Sequence, residues 1–270
     1  MTHEFDPGPV AGPFLALAQA YPGAETYPAQ SFRVEWGPIF HRGRLDGSAR
    51  VLVIGQDPAE SEDVTRRILV GTAGHRVQGF LAKLGITRSY IMVNTFLYSV
   101  YGQQGGEKHK DDAAIIAYRN GWLAALTGTA QLDAVIALGA LADDAWGKFK
   151  NQAAADIASL PYAHITHPTA PESASGGDPR KLATGIAAML ANWNTALTRL
   201  HPLIAHPDVP GPLTPYGEKF AAGDYVEIPE VDLPPGLPDW MRSPADWAQR
   251  TGTTAAAKRA TITITIPDGS

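Results

Sequence analysis

Between residues 49 and 200 the chain alternates short, nearly unbroken apolar runs with stretches whose apolar residues recur every three or four positions. The runs cover 51–54, 90–94, 134–138 and 164–166. Short runs rich in Val and Ile predict strands, and their lack of polar alternation predicts burial on both faces. The intervening stretches read as helices. Val77, Phe80, Leu81 and Leu84 share one helical face that Gly85 would end. Ile115, Tyr118, Trp122 and Ala125 make a second face behind the cap candidates Asp111 and Asp112. Leu182, Ile186, Met189, Trp193, Leu197 and Leu200 form the longest stripe, opened by Pro179. Strand and helix in alternation predict an α/β fold: a three-layer α/β/α sandwich around a central, mainly parallel four-stranded sheet.

The flanks differ. Residues 1–50 mix Pro, Gly and aromatics, and predict short helices and a strand packed on the edge of the core. After His201 Pro and Gly become dense, and Thr261-Ile-Thr-Ile-Thr-Ile266 alternates as a single strand would. The expected organisation is therefore an α/β domain over 1–200 and a Pro/Gly-rich appendage over 201–270, which either wraps the core or hangs loose.

Composition narrows the class. With 270 residues, 44% of them hydrophobic, the chain can bury one sizeable core. It has no cysteine, which excludes disulfides, thiolate zinc sites and cysteine-held iron–sulfur clusters. The first residues lack a basic segment followed by an apolar run, and no apolar run approaches membrane-spanning length. A cytoplasmic, monomeric protein without membrane contact is expected. The net charge of −5 argues against gripping nucleic acid by bulk charge, although local patches and backbone amides decide that affinity. The basic candidates are Arg66, Arg67, His75 and Arg76, then Lys108, His109 and Lys110, then Arg180 and Lys181. Each group also reads as ordinary solvated surface.

Two strand ends carry candidate chemistry. Val51-Leu-Val-Ile-Gly-Gln-Asp-Pro-Ala59 runs from a buried strand through a turn-permitting Gly to Asp57. Ala163-His-Ile-Thr-His-Pro-Thr169 places His167 at the end of another strand. Open α/β sheets bind ligands beyond the carboxyl ends of their strands, so the two side chains point to a shared cleft. The plainer alternatives are a turn-capping aspartate and a buried, hydrogen-bonded histidine.

A series of ordered blocks resembles the uracil-DNA glycosylase superfamily. Gly55-Gln-Asp-Pro-Ala59 is similar to the water-activating motif G-Q-D-P-Y-H of its best-known class. Glu62-Asp63 and Arg67-Ile-Leu-Val-Gly-Thr-Ala-Gly74 resemble a segment of its iron–sulfur classes. Ile91-Met-Val-Asn-Thr95 resembles the strand whose Asn reads uracil, and Ala134-Val-Ile-Ala-Leu-Gly139 the core strand before the last block. His167-Pro-Thr-Ala-Pro171 resembles the H-P-S-P histidine motif. The resemblance implies catalytic roles for Asp57 and His167 and a substrate pocket of Gly55, Gln56, Leu69, Asn94 and Gly139. It further implies DNA contacts from Thr169, Ser173 and Arg180, and neither metal nor other cofactor. The implied partner is uracil-containing DNA, single- or double-stranded.

The blocks also depart from the family. Ala59 stands where the best-known class carries the Tyr that excludes the thymine methyl. Leu69 replaces a stacking Phe, and the Leu inserted into the duplex has no counterpart in Thr169-Ala-Pro-Glu-Ser173. His109 lies where one relative carries a His that attacks the sugar and stays bound, without that relative's basic pattern. Three readings follow: a monofunctional glycosylase of base-excision repair, a non-turnover or covalently trapping uracil-DNA-binding protein, and an unrelated phosphate-binding α/β domain. The spacing of glycines around Gly55 weakens the last.

Overall fold

The computed structural model describes residues 5–101 and 103–267. The strands are β1 (Arg42–Gly43), β2 (Val51–Gly55), β3 (Tyr90–Asn94), β4 (Ala134–Leu138), β5 (Tyr162–Ile165), β6 (Ala248–Gln249) and β7 (Thr263–Ile264). The helices are α1 (Gly12–Gln19), α2 (Glu60–Thr65), α3 (Thr72–Lys83), α4 (Gln103–His109), α5 (Ala113–Thr129), α6 (Ala140–Lys150), α7 (Ala155–Ala158), α8 (Ala170–Ser175), α9 (Pro179–Leu200) and α10 (Ala255–Ala260).

The central sheet has the order β1-β3-β2-β4-β5. β2 to β5 are parallel and correspond to the four expected runs, and β1 joins β3 as a two-residue antiparallel edge. Every residue of β2 and β4 is buried, as expected of parallel strands covered on both sides. Side chains alternate between layers. Val51, Val53, Met92 and Ile136 meet Phe80 of α3 and Trp193 of α9, whereas Leu52, Ile54, Val93 and Val135 meet Phe14, Trp122 and Trp146 of α1, α5 and α6. A sandwich of three layers results.

Two boundaries differ from expectation. β5 begins at Tyr162 and ends before Thr166, because the Thr166 N–H is taken by Asn192 Oδ1 at 2.8 Å instead of a strand. Of 261–266, only Thr263–Ile264 pairs, with Ala248–Gln249. Ile264 and Ile266 stay exposed, with no layer to cover a longer strand.

Residues 201–267 pack along the sandwich. Asp208 accepts the N–H groups of Thr87, Arg88 and Ser89 at 2.7–3.0 Å. Lys83 pairs with Asp224 at 2.9 Å, and the buried Asp232 meets Arg42, Arg44 and the Tyr90 hydroxyl.

The connections place the site. From β2 the chain runs through α2 and α3 to β3 on one side, then crosses by α4 and α5 to β4 on the other. Neighbouring strands whose connections diverge leave a crevice at their carboxyl ends.

Candidate active site

The loops after β2 and β3 are stitched together. The Thr95 N–H and hydroxyl both donate to Gly55 O at 2.9 Å, and the Phe96 N–H donates to Gln56 O at 2.9 Å. Asp57 follows, partly exposed, with Oδ2 accepting the Val100 N–H at 3.0 Å. Val100 is itself held by a bridge to Phe32. Burial pushes the Asp57 carboxyl up to about 6, against the Val100 N–H, a Gln56 hydrogen bond and the nearby Arg250 charge. At neutral pH the group is therefore mostly ionised but poorly hydrated. Such a carboxylate interacts strongly with any positive charge that forms beside it.

The next turn is organised by Glu62. Ala59, at the helix N-cap, has no side chain that can accept a hydrogen bond, so the buried Glu62 serves instead. Its carboxylate accepts Ala59 N–H at 3.0 Å, Val70 N–H at 3.0 Å and Gly71 N–H at 3.4 Å. Glu62 thus ties the Asp57 loop to the loop bearing Leu69. Leu69 adopts φ +53°, and a Cβ on Gly74 would collide with the Leu69 carbonyl. This backbone delivers the Leu69 side chain to within 3.7 Å of where a Gly55 Cβ would stand.

Gly55 is required for another reason. A Cβ there would strike Asn94 Oδ1, so the glycine leaves room for the amide to lie over the end of β2. Asn94 Oδ1 is buried and has no hydrogen-bond partner within the protein. An orphaned buried acceptor costs about 1–3 kcal/mol and marks a place where a donor from outside would be welcome. Asn94 also borders a cavity of about 20 Å³ between Tyr27, Phe40 and Trp122, which has room for a water molecule, not a base.

His167 approaches from β4's side. Gly139 (φ +82°) ends β4, and a Cβ on it would lie 3.1 Å from the His167 Cβ. The Thr169 N–H donates to His167 Nδ1 at 3.3 Å, and the Thr169 hydroxyl lies 3.2 Å from the same atom. A backbone N–H only donates, so Nδ1 is unprotonated and the ring proton sits on Nε2. Burial holds the imidazolium down to about 4, with Glu172 opposing weakly. His167 is thus a neutral donor across the physiological range. Arg76 braces its loop by donating to Pro168 O at 2.5 Å and Glu172 at 2.6 Å while stacking on Phe220 at 4.7 Å. Asn94 over β2 and His167 over β4 flank neighbouring strands about 4.8 Å apart.

The other residues singled out by sequence scatter. Gln56 and Leu69 line the same end of β2. Ser173 and Arg180 are exposed on α8 and at the start of α9, where Pro171, Arg180 and Lys181 border a groove of about 420 Å³. Thr169 spends its hydroxyl and N–H on His167. Of the basic candidates, Arg66, Arg67, His75 and Arg76 turn inward, to Trp36 and Pro38 carbonyls, Asp6, Val226 O and Glu172 respectively. Asp112 accepts no N–H from α5; its carboxylate binds His109. Sequence reasoning missed the roles of Glu62, Arg76 and the Val100 N–H. For Glu62 a signal existed, an acidic residue at the third position of a helix that lacks a capping side chain.

Comparison with protein-family profiles matches residues 42–182, just over half of the chain, to the Uracil DNA glycosylase superfamily. Among curated proteins none matches. The matched span begins at β1 and closes two residues after Arg180, so it holds every strand end and loop just described. On this match, which spans the parallel strands of the central sheet, the chain belongs to the uracil DNA glycosylase superfamily.

Proposed function

We propose that the protein excises uracil from DNA by hydrolysing the N-glycosidic bond of an extruded deoxyuridine, leaving an abasic site. The observation that supports this reading is the placement of three groups at the carboxyl ends of neighbouring strands: Asp57 after β2, Asn94 at the end of β3 with its Oδ1 orphaned against Gly55, and a neutral Nε2–H imidazole on His167 packed on Gly139 after β4.

Bond cleavage builds positive charge on the sugar and negative charge on the departing base. Asp57 stabilises the first electrostatically and orients the attacking water. His167 donates its Nε2 proton as a hydrogen bond to uracil O2, where the second develops. Because the imidazole is already neutral, the stabilisation is that of a fixed donor. Asn94 Oδ1 accepts from uracil N3–H and its amide N–H donates to O4; cytosine presents the reverse pair and leaves buried groups unpaired. Leu69 packs on the base. Reaching this pocket requires the nucleotide to leave the stack, which costs least opposite guanine or in a single strand. Ser173, Arg180 and Lys181 supply phosphate contacts beside the cleft. The protein works as a cytoplasmic monomer without metal or other cofactor.

The competing reading is a trapping role for His109. Its Nδ1 lies 2.6 Å from Asp112 and its Nε2 3.0 Å from Ser31 Oγ, with the ring against Phe32. Both nitrogens therefore have partners in the resting structure, and attack by Nε2 would require the Ser31 hydroxyl to give way. The test is a labelled oligonucleotide carrying uracil, thymine or hypoxanthine, opposite guanine and single-stranded, run on denaturing gels. Alkali-labile abasic product from uracil supports the reading. A protein–DNA adduct, or intact uracil-DNA after incubation with pure protein, refutes it. Because Ala59 is exposed and offers no wall to a methyl group, slow thymine excision is expected beside uracil.

A further inference from the structure

Three of the appendage's charged contacts, through Asp208, Asp224 and Asp232, lie on the residues before β3, on α3 and on the β1 edge. A fourth reaches the reactive end. Arg250 follows β6, and its side chain is only 16% exposed. Nε lies 2.8 Å from Glu60 Oε1, Nη2 donates to Ser99 Oγ at 2.8 Å, and the guanidinium sits over Trp36 at 5.2 Å. Glu60 opens α2 three residues after Asp57. Ser99 precedes Val100, whose N–H binds Asp57. The delivering element is itself anchored, since Trp247 and Ala248 pack with Met241 against Val64 of α2.

We propose that Arg250 is a positioning residue for excision, its fork joining the segment that bears Asp57 to the segment that supplies its hydrogen bond while holding a positive charge beside that carboxylate. This rests on the excision reading above. A guanidinium suits the task because it is planar and permanently charged, so it can ion-pair with Glu60 while donating a hydrogen bond to Ser99. The charges around it are unequal. On α2, Glu60 pairs with it, Asp63 stands 3.8 Å away, and Glu62 is engaged with backbone; Arg33, stacked on the same Trp36, opposes it. Burial pushes Asp63 up to about 7, so near neutrality Asp63 offsets Arg250 only in part. At Asp57 the Arg250 charge favours ionisation and Glu62 disfavours it.

The experiment compares wild type, Arg250→Lys and Arg250→Gln in single-turnover uracil release from pH 5 to 9. It adds a ¹³C carboxyl titration of Asp57 by NMR and a melting temperature for each protein. Arg250→Gln is expected to move the acid limb and the Asp57 midpoint upward by about half a pH unit or more, so that its rate deficit is larger at pH 6 than at pH 8. Arg250→Lys keeps the charge and is expected to hold the midpoint while losing rate at every pH. A packing role alone would lower melting temperature and rate evenly with the midpoint unmoved, and that result overturns the proposal. Should wild type release no uracil, the excision reading fails separately. The NMR midpoint then judges Arg250 alone, supporting the local assignment if it moves in Arg250→Gln and ending it if it does not.

Discussion

A single side chain illustrates the tension between stability and chemistry here. Asp57 has its folded-state midpoint raised by burial to about 6, above the ordinary carboxylate value of 3.8. The unfolded chain therefore ionises more readily, and the folded state is penalised by this group at every pH above its midpoint. The penalty fades as pH falls through 6 and is absent below about 3.8. Asp57→Asn keeps an oxygen for the Val100 N–H but removes the charge. It should stabilise the protein by about 1–3 kcal/mol at pH 8 and by roughly half as much at pH 5. Urea unfolding at the two pH values checks this; equal or lower stability of the variant at pH 8 would show that the carboxylate is well hydrated after all.

At the scale of elements, the site depends on loops being held in register with the strands that launch them. Strand ends were legible in sequence because an apolar run stops abruptly at Gly55, Asn94, Gly139 or before His167. The helices α3, α5 and α9 were legible from their stripes. What joins the loops was not. Glu62 binds three N–H groups that lie three residues before it and eight and nine after it, and no local pattern encodes that reach. Glu62→Ala strands those buried donors and is expected to cost about 2–4 kcal/mol, with excision falling further than the melting temperature alone explains. A chemical denaturation curve alongside excision rates tests this, and a variant as stable as wild type would contradict it. The end of β5 was misplaced because the competing acceptor, Asn192, sits on a helix 26 residues later.

Across the whole molecule, charge proved the least readable property. The clustered residues Arg66, Arg67, His75 and Arg76 suggested a nucleic-acid patch, yet all four are consumed inside, three of them by contacts beyond residue 170 or before residue 10. Such partners are invisible to any window along the chain. The appendage shows the same long-range logic. Asp232 is fully buried against Arg42 and Arg44 about 190 residues away, so Asp232→Ala leaves a buried Arg42 guanidinium without its counter-ion. A loss of about 3–5 kcal/mol is expected, read by thermal unfolding, against near-neutral effects for exposed acids such as Glu218. A loss under about 1 kcal/mol would mean that the appendage is not part of the cooperative unit.

The most direct measurement is the single-turnover rate of uracil release from pH 5 to 9 for wild type and Asp57→Asn. With Asp57 as the ionised stabiliser and His167 neutral throughout, the wild-type rate should climb roughly tenfold per pH unit below about 6 and level off above it. The variant should be slower by about a hundredfold or more on the plateau and show no such limb. A wild-type rate indifferent to pH across this range, or a variant that matches it, would contradict the account.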